Sequence, residues 1–462
     1  MVDKTRKHKR KINVMNRNLV SRREFLKRIG YTTGGVLALA NMPISGSNFI
    51  QNAEADIISH VFYAKEGTPD QNISKCFQIM GGIGGYIGGD DVVILKPNAQ
   101  WIRQGGTNTS SMKALIDMIL AIPGFTGEII IAENNHVTDP ESSSRMWGTT
   151  DFRFNGPYSF NTLLQYYRDN RGSYPAIHDH GGEINVSKYV LKDSNRGGRA
   201  TQGPSDGDGY VRRTDLQYFS PSGGWEYDQN LSYPSTIMTY PIFTSTHSGI
   251  TVDLKNGCWQ NGNYIDSRCV LIMMAGLNFH SSYAGSTSAV KNYYGVVELP
   301  GGFNGQYSDF HRIGFPAGGG AVGSFVRDIR RADLFVTTAE WCGHQGRSDM
   351  SPVNTKTILA STDPLALDYY AFKNVMYPLG GRHQQLNNPD DTSGPLRKFL
   401  NLYRDEVDWG TLNEAETLVQ GYDFSNPTVT RSEIDAKIAE FKNGQATEEE
   451  VHQLIQQYNN GE

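Results

Sequence analysis

The apolar run Val92-Val93-Ile94-Leu95, the helical periodicity of Ser111 to Ile122 and a second apolar run from Glu128 to Ala132 follow one another without interruption. This succession predicts a βαβ unit, because parallel strands need a crossover and a helix supplies it. The rhythm resumes after Ser235. Strands are expected at Ile237 to Phe243, Val270 to Ala275, Leu334 to Thr337 and Thr357 to Ala360, with a helix from Gly323 to Ala332. The fold class is therefore α/β, a mainly parallel sheet flanked by helices. Residues 139 to 230 break the pattern with Gly-Gly, Ser-Gly and Asp-Gly pairs, and read as a long loop-rich insertion over the sheet ends.

Ligands of open α/β sheets bind beyond the carboxyl ends of the strands. Lys96-Pro97-Asn98 stands at the end of the first strand and Glu133 at the end of the second, so Lys96, Asn98 and Glu133 are candidate ligand-binding residues. A duplicated stretch adds to them. Gly249-Ile-Thr251-Val-Asp-Leu254-Lys255-Asn256 recurs 36 residues later, from position 249 to 285, as Gly285-Ser-Thr287-Ser-Ala-Val290-Lys291-Asn292. Each copy follows a histidine, His247 or His280. The expected geometry is a strand, a tight glycine turn and a helix whose first amides and Thr hydroxyl face one spot, a place that favours an anion. A capped helix with a solvated lysine accounts for either copy alone; its occurrence twice points to a site. Thr251, Lys255, Thr287, Lys291 and Asn292 are its expected ligand contacts, and His247 or His280 its general acid or base.

Two acidic residues mark the last helix start of this series. Asp363 before Pro364 is an N-cap with proline in the first turn. Asp368, one turn further, has no capping role, and is a salt-bridge partner or a catalytic carboxylate. His344, in Glu340-Trp341-Cys342-Gly343-His344, follows another strand, and with His247 and His280 leaves open a divalent metal. His178-Asp179-His180 reads as a polar turn before Gly181-Gly182 in preference to a metal pair.

Net charge is −5, with basic residues clustered only at the extreme amino terminus, which argues against nucleic-acid binding. Ser21-Arg22-Arg23-Glu24-Phe25-Leu26-Lys27 matches the twin-arginine export pattern, an apolar run follows to Met42, and Ala53-Glu54-Ala55 offers a cleavage site. Residues 1–55 are thus an expected signal peptide, with the twin-arginine machinery as partner and a periplasmic or cell-surface destination. An uncleaved signal would anchor the chain to the membrane. Four cysteines suit an exported protein with one or two disulfides, and Cys258 with Cys269 flank a hairpin-turn signal. No C-x-x-C spacing occurs, so no iron-sulfur cluster is expected.

The tail carries a second repeat. Thr430-Arg-Ser-Glu433 and Thr447-Glu-Glu-Glu450 each read as a capping box before a short apolar stripe, and Asn443-Gly444 and Asn460-Gly461 as the stops. Residues 430–460 are an expected helical hairpin, available for protein docking, after an α/β core spanning 56–425 and a linker at Gly421 to Pro427.

Ile94-Leu95-Lys96-Pro97-Asn98, the segment from His280 to Gly295 with Lys291-Asn292, and Ala360-Ser-Thr-Asp363-Pro364-Leu-Ala366-Leu-Asp368 together resemble the bacterial and archaeal family known as domain of unknown function 362. Members often carry a ferredoxin-like cysteine cluster, which this sequence lacks. The resemblance implies a fold and a site more than a reaction. The functional expectation is an exported enzyme acting on a small anionic substrate, with a non-catalytic binder of an anionic ligand or cofactor as the alternative.

Overall fold

The computed structural model describes residues 58–99, 105–134, 146–192, 198–221, 234–279, 286–298, 310, 313–346, 351–425 and 431–460. In chain order its main elements are β1 (Ser59–Lys65), α1 (Pro69–Ile79), β2 (Val92–Pro97), α2 (Thr109–Leu120), β3 (Glu128–Glu133), α3 (Phe160–Asp169), β4 (Val186–Val190), β5 (Gly209–Phe219), β6 (Ser235–Thr244), β7 (Thr251–Asp253) and β8 (Gly257–Gln260). They continue with β9 (Cys269–Phe279), β10 (Ser286–Thr287), α4 (Ala317–Asp328), β11 (Leu334–Gly343), β12 (Val353–Ser361), α5 (Pro364–Ala371), α6 (Pro395–Glu406), β13 (Thr417–Asp423), α7 (Arg431–Lys442) and α8 (Glu448–Asn460).

The central sheet has the order β13-β1-β12-β11-β9-β2-β3-β4, with the short β10 added antiparallel to β9. Along that path only β12 runs against its neighbours. The remaining pairings, β13 with β1 and β11-β9-β2-β3-β4, are parallel. Strands such as Val92–Pro97 and Glu128–Glu133 are buried along their whole length, which is why they read as unbroken apolar runs.

Each face of the sheet carries its own core. Val93, Leu95, Ile129, Ile131, Ile272 and Val336 pack with residues of α1, α2 and α3 on one side. On the other, Ile94, Ile130, Leu271 and Phe335 pack with residues of α4, α5, α6 and a second, wholly antiparallel sheet built from β5 to β8 and the short strand Asn263–Tyr264.

Several expectations need correction. The stretch read as an irregular insertion holds α3, the edge strand β4 and the long β5 among its described residues. The signal was present: Ser159 and Thr162 make a reciprocal cap, and Phe160, Leu163, Leu164 and Tyr167 bury one helical stripe. Frequent Gly and Tyr masked it. The helix expected from Gly323 begins at Ala317, in glycines that look like loop; Gly319 and Gly323 let α4 lie close on α6, since a Cβ on either would strike the backbone of Phe399 or Tyr403. Gly421 to Asp423 is not linker but the end of β13, in register with Tyr63 to Lys65. All four cysteines are free and buried, so Cys258 and Cys269 are not joined. The export signal at 1–55 lies outside the described residues. Among those described, no helix is long and apolar enough to cross a membrane.

At the carboxyl end of the described chain, α7 and α8 are joined through Gly444, and Thr447 exchanges capping hydrogen bonds with Glu450. The matching cap at Thr430 lies outside the described residues.

Candidate functional site at the carboxyl ends of the parallel strands

From β2 the chain moves outward through α2 to β3; from β9 it moves the other way, through α4 to β11. The boundary between β2 and β9 is therefore a topological switch point, where crossovers diverge and leave a crevice beyond the strand ends. Lys96-Pro97-Asn98 and Asn278-Phe279 border it. Thr107 closes its floor: its hydroxyl donates to the Met274 carbonyl at 2.6 Å and accepts from the Asn98 amide at 2.8 Å. Asn108 caps α2 by accepting from the Ser110 and Ser111 amides, while its own amide donates to the Thr338 hydroxyl at 3.1 Å. One short loop thus ties the ends of β2, β9 and β11 together.

Lys96 and Glu133 form a buried ion pair at the ends of β2 and β3. Lys96 Nζ also donates to Asn292 Oδ1 at 3.0 Å, and Asn292 Nδ2 returns a bond to the Lys96 carbonyl at 2.9 Å. Burial lowers the Lys96 pKa from its ordinary value, and Glu133 opposes that by favouring the charged form. Gly295 covers the pair so closely that a Cβ there would collide with both charged ends. Three of the expected ligand residues, Lys96, Glu133 and Asn292, are therefore one cluster.

The second copy of the duplicated stretch does bind a carboxylate, and the carboxylate is its own. Asp368 accepts from the Ala289 and Val290 amides at 2.8 and 3.0 Å. The Ser288 hydroxyl lies 3.0 Å from that of Thr337. Thr287 pairs with Asn278 through β10, and Lys291 is buried with its ammonium 5.5 Å from the Tyr294 ring centre. Burial raises Asp368 to about 7 against the pull of Ser288 and the two amides. Asp363 caps α5 as expected, accepting from Leu365 at 2.8 Å, and also fixes Thr411 at 2.9 Å.

Glu340 and His383 were not among the residues singled out from sequence. Glu340 sits at a bulge of β11, accepts from the Ser111 hydroxyl in the first turn of α2, and is 4 % exposed. Among the described residues its Oε2 has no hydrogen-bond partner, and burial raises its pKa to about 7. A carboxyl group in an apolar strand was the available clue. His344 follows on the same strand end; its ring lies against Gly381 and 3.2 Å from Gln345 Nε2. His383 stacks on Phe279 with ring centres 4.8 Å apart, and burial with the neighbouring Arg382 lowers its pKa.

No family model, curated protein or solved structure matches this chain.

The first copy of the duplicated stretch lies at the opposite end of the sheet. Ser245 and Ser248, either side of His247, donate to Glu128, the first residue of β3, whereas Lys96 pairs with Glu133, the last. Those two ends of β3 are roughly 16 Å apart at strand spacing. Gly249 turns the chain between β6 and β7, so Thr251 opens a strand and not a helix, its hydroxyl 2.9 Å from that of Thr244. Lys255 donates to the Asp328 carbonyl at the end of α4. His247, Thr251 and Lys255 are therefore removed from the carboxyl-end site, since hairpin pairing overrides the local preference for a helix. His280 lies outside the described residues. Among those described, no three His, Cys, Asp or Glu side chains are arranged to hold a metal ion.

Proposed function

We propose that this chain is an exported enzyme that acts on a small anionic substrate in the crevice beyond β2, β9 and β11. The observation that carries the reading is Glu340, a buried carboxyl group at the amino terminus of α2 with one oxygen unpartnered among the described residues. A carboxyl group poised near neutrality suits proton transfer, because it can both give and take a proton at working pH. Glu340 is the proposed general acid or base. Lys96, paired with Glu133 and held by Asn292, is the proposed anion contact, by exchange of the Glu133 carboxylate for the ligand's own charge, and His344, directly after β11, is the proposed second proton carrier. Membership of domain of unknown function 362, twin-arginine export with cleavage before Asp56, and protein docking through α7 and α8 belong to the same proposal. Amino-terminal sequencing of the exported protein tests the export step.

The enzyme reading is tested by turnover of a panel of phosphate and carboxylate esters. Glu340→Gln is expected to lose at least about 100-fold in kcat, the usual worth of general acid-base catalysis, while substrate still binds. The alternative is a non-catalytic binder of an anionic ligand. Lys96 is already neutralised by Glu133, an arrangement that suits exchange of one carboxylate for another, and a binder would show altered affinity in Lys96→Met with no turnover in any variant.

A further inference from the structure

The central sheet ends in two edge strands, β4 and β13, and they are built differently. β4 carries Lys188, and a lysine on an edge discourages pairing with another chain. β13, Thr417–Asp423, has no lysine, arginine or proline, and no bulge interrupts its register with β1. Among the described residues β1 is its only strand partner. Leu418 is 39 % exposed and Val419 37 %, although successive side chains point to opposite faces of a sheet. An edge of this kind is a template for one more strand.

Both faces of the sheet offer aromatic surface beside this edge. On the α1 face stands Tyr422, its ring centre 4.1 Å from Lys75 Nζ. On the other face Gly421 leaves a gap that Tyr63 of β1 fills, since a Cβ at Gly421 would strike the Tyr63 ring. A ring laid across the glycine of a neighbouring strand covers bare backbone, and here it carries apolar surface towards the open edge. Asp423 pairs with Lys65 at 3.0 Å, so the single charged side chain of the strand is already matched.

The strand is complementary to itself. When a second β13 runs antiparallel about Gln420, Val419 of one copy stands opposite Gly421 of the other, where the Tyr63 ring lies, and Leu418 stands opposite Tyr422. Asp423 meets Thr417, so no like charges oppose each other. We propose that β13 pairs antiparallel with β13 of a second copy of this chain, which joins the two central sheets into one. The twofold axis passes at Gln420, and every contact occurs twice, as in any isologous interface. One strand from each copy is a small contact, so the dimer is reversible and depends on concentration.

The test is analytical sedimentation of the tag-free, full-length protein from about 5 to about 200 μM, a range over which a weak dimer forms. The parent is expected to shift from monomer towards dimer. Val419→Lys is expected to weaken the dimer at least about tenfold, and the double variant Leu418→Lys with Val419→Lys to stay monomeric throughout. Both side chains are exposed, so the circular dichroism of these variants should match the parent. Gln420→Cys is expected to give a covalent dimer on mild oxidation, because directly opposed residues of an antiparallel pair lie about 4.5–5.5 Å apart at Cα, within disulfide reach. Phe441→Ser, at an exposed position of α7, is expected to dimerise as the parent does. A parent that stays monomeric, a dimer that survives the double variant, no covalent dimer from Gln420→Cys, or loss of the dimer in Phe441→Ser would each overturn the proposal.

Discussion

The Asp368 carboxylate closes on the Ala289 amide at 2.8 Å, joining α5 to the turn after β10 across 79 positions of sequence. The turn's free amides attract an anion, as its sequence predicts, and the chain supplies one from within. The expected catalytic carboxylate is thus committed to holding the carboxyl edge of β9 in shape.

Burial gives this contact a pH signature. Asp368 is raised from 3.8 to about 7, and Glu340 from 4.5 to about 7. The folded chain therefore keeps protons that the unfolded chain has already released. The stability these groups contribute is fully present below their ordinary pKa values and is lost as pH rises through about 7. Unfolding free energy from denaturant titrations should carry a negative slope of up to about 1.4 kcal/mol per pH unit per group between about pH 4 and pH 7. Asp368→Asn and Glu340→Gln should each remove one proton's share of it. An unchanged slope in both would contradict the assignment.

Lys96 and Glu133 are worth more together than apart. Lys96→Met strands a carboxylate in the interior and should destabilise the protein by about 3–5 kcal/mol. Adding Glu133→Leu should restore most of that loss, because both desolvation costs then vanish. Guanidinium unfolding of the single and double variants measures the recovery.

Gly295→Ala pushes a methyl group between the two charges. The expected cost is about 1–3 kcal/mol, as for overpacking elsewhere. In the background of Lys96→Met with Glu133→Leu the added cost should shrink, since the colliding atoms change. Equal cost in both backgrounds would mean that the glycine matters for its backbone alone.

The cysteines give a further check. Burial raises the Cys269 thiol to about 12 and shifts Cys76 and Cys258 upward too. No thiol should react with a thiol reagent in the native protein, and four should react in denaturant without reductant. Two in denaturant would signal a disulfide after all.

The βαβ core was legible from residues 92 to 132 because strands buried on both faces must be apolar throughout and their crossover must bury a stripe. The same logic recovered β6, β9, β11 and β12, and the cap at Asp363 was readable because capping is a local contact. Placing Lys96 and Glu133 at strand ends followed from the same pattern. Their ion pair, with Asn292 arriving from 196 positions away, did not.

Sequence by itself determined the βαβ core, the strands β6, β9, β11 and β12, and the polar character of the strand ends, since these depend on neighbours within a few residues. Tertiary structure alone decided which copy of the repeated stretch turns into a hairpin and which meets Asp368. It also set His247 beside His178 and, among the described residues, left one Glu340 oxygen without a partner. Those outcomes depend on contacts between segments far apart in the chain, and the loop-closure and burial terms that select them leave no mark on any single stretch.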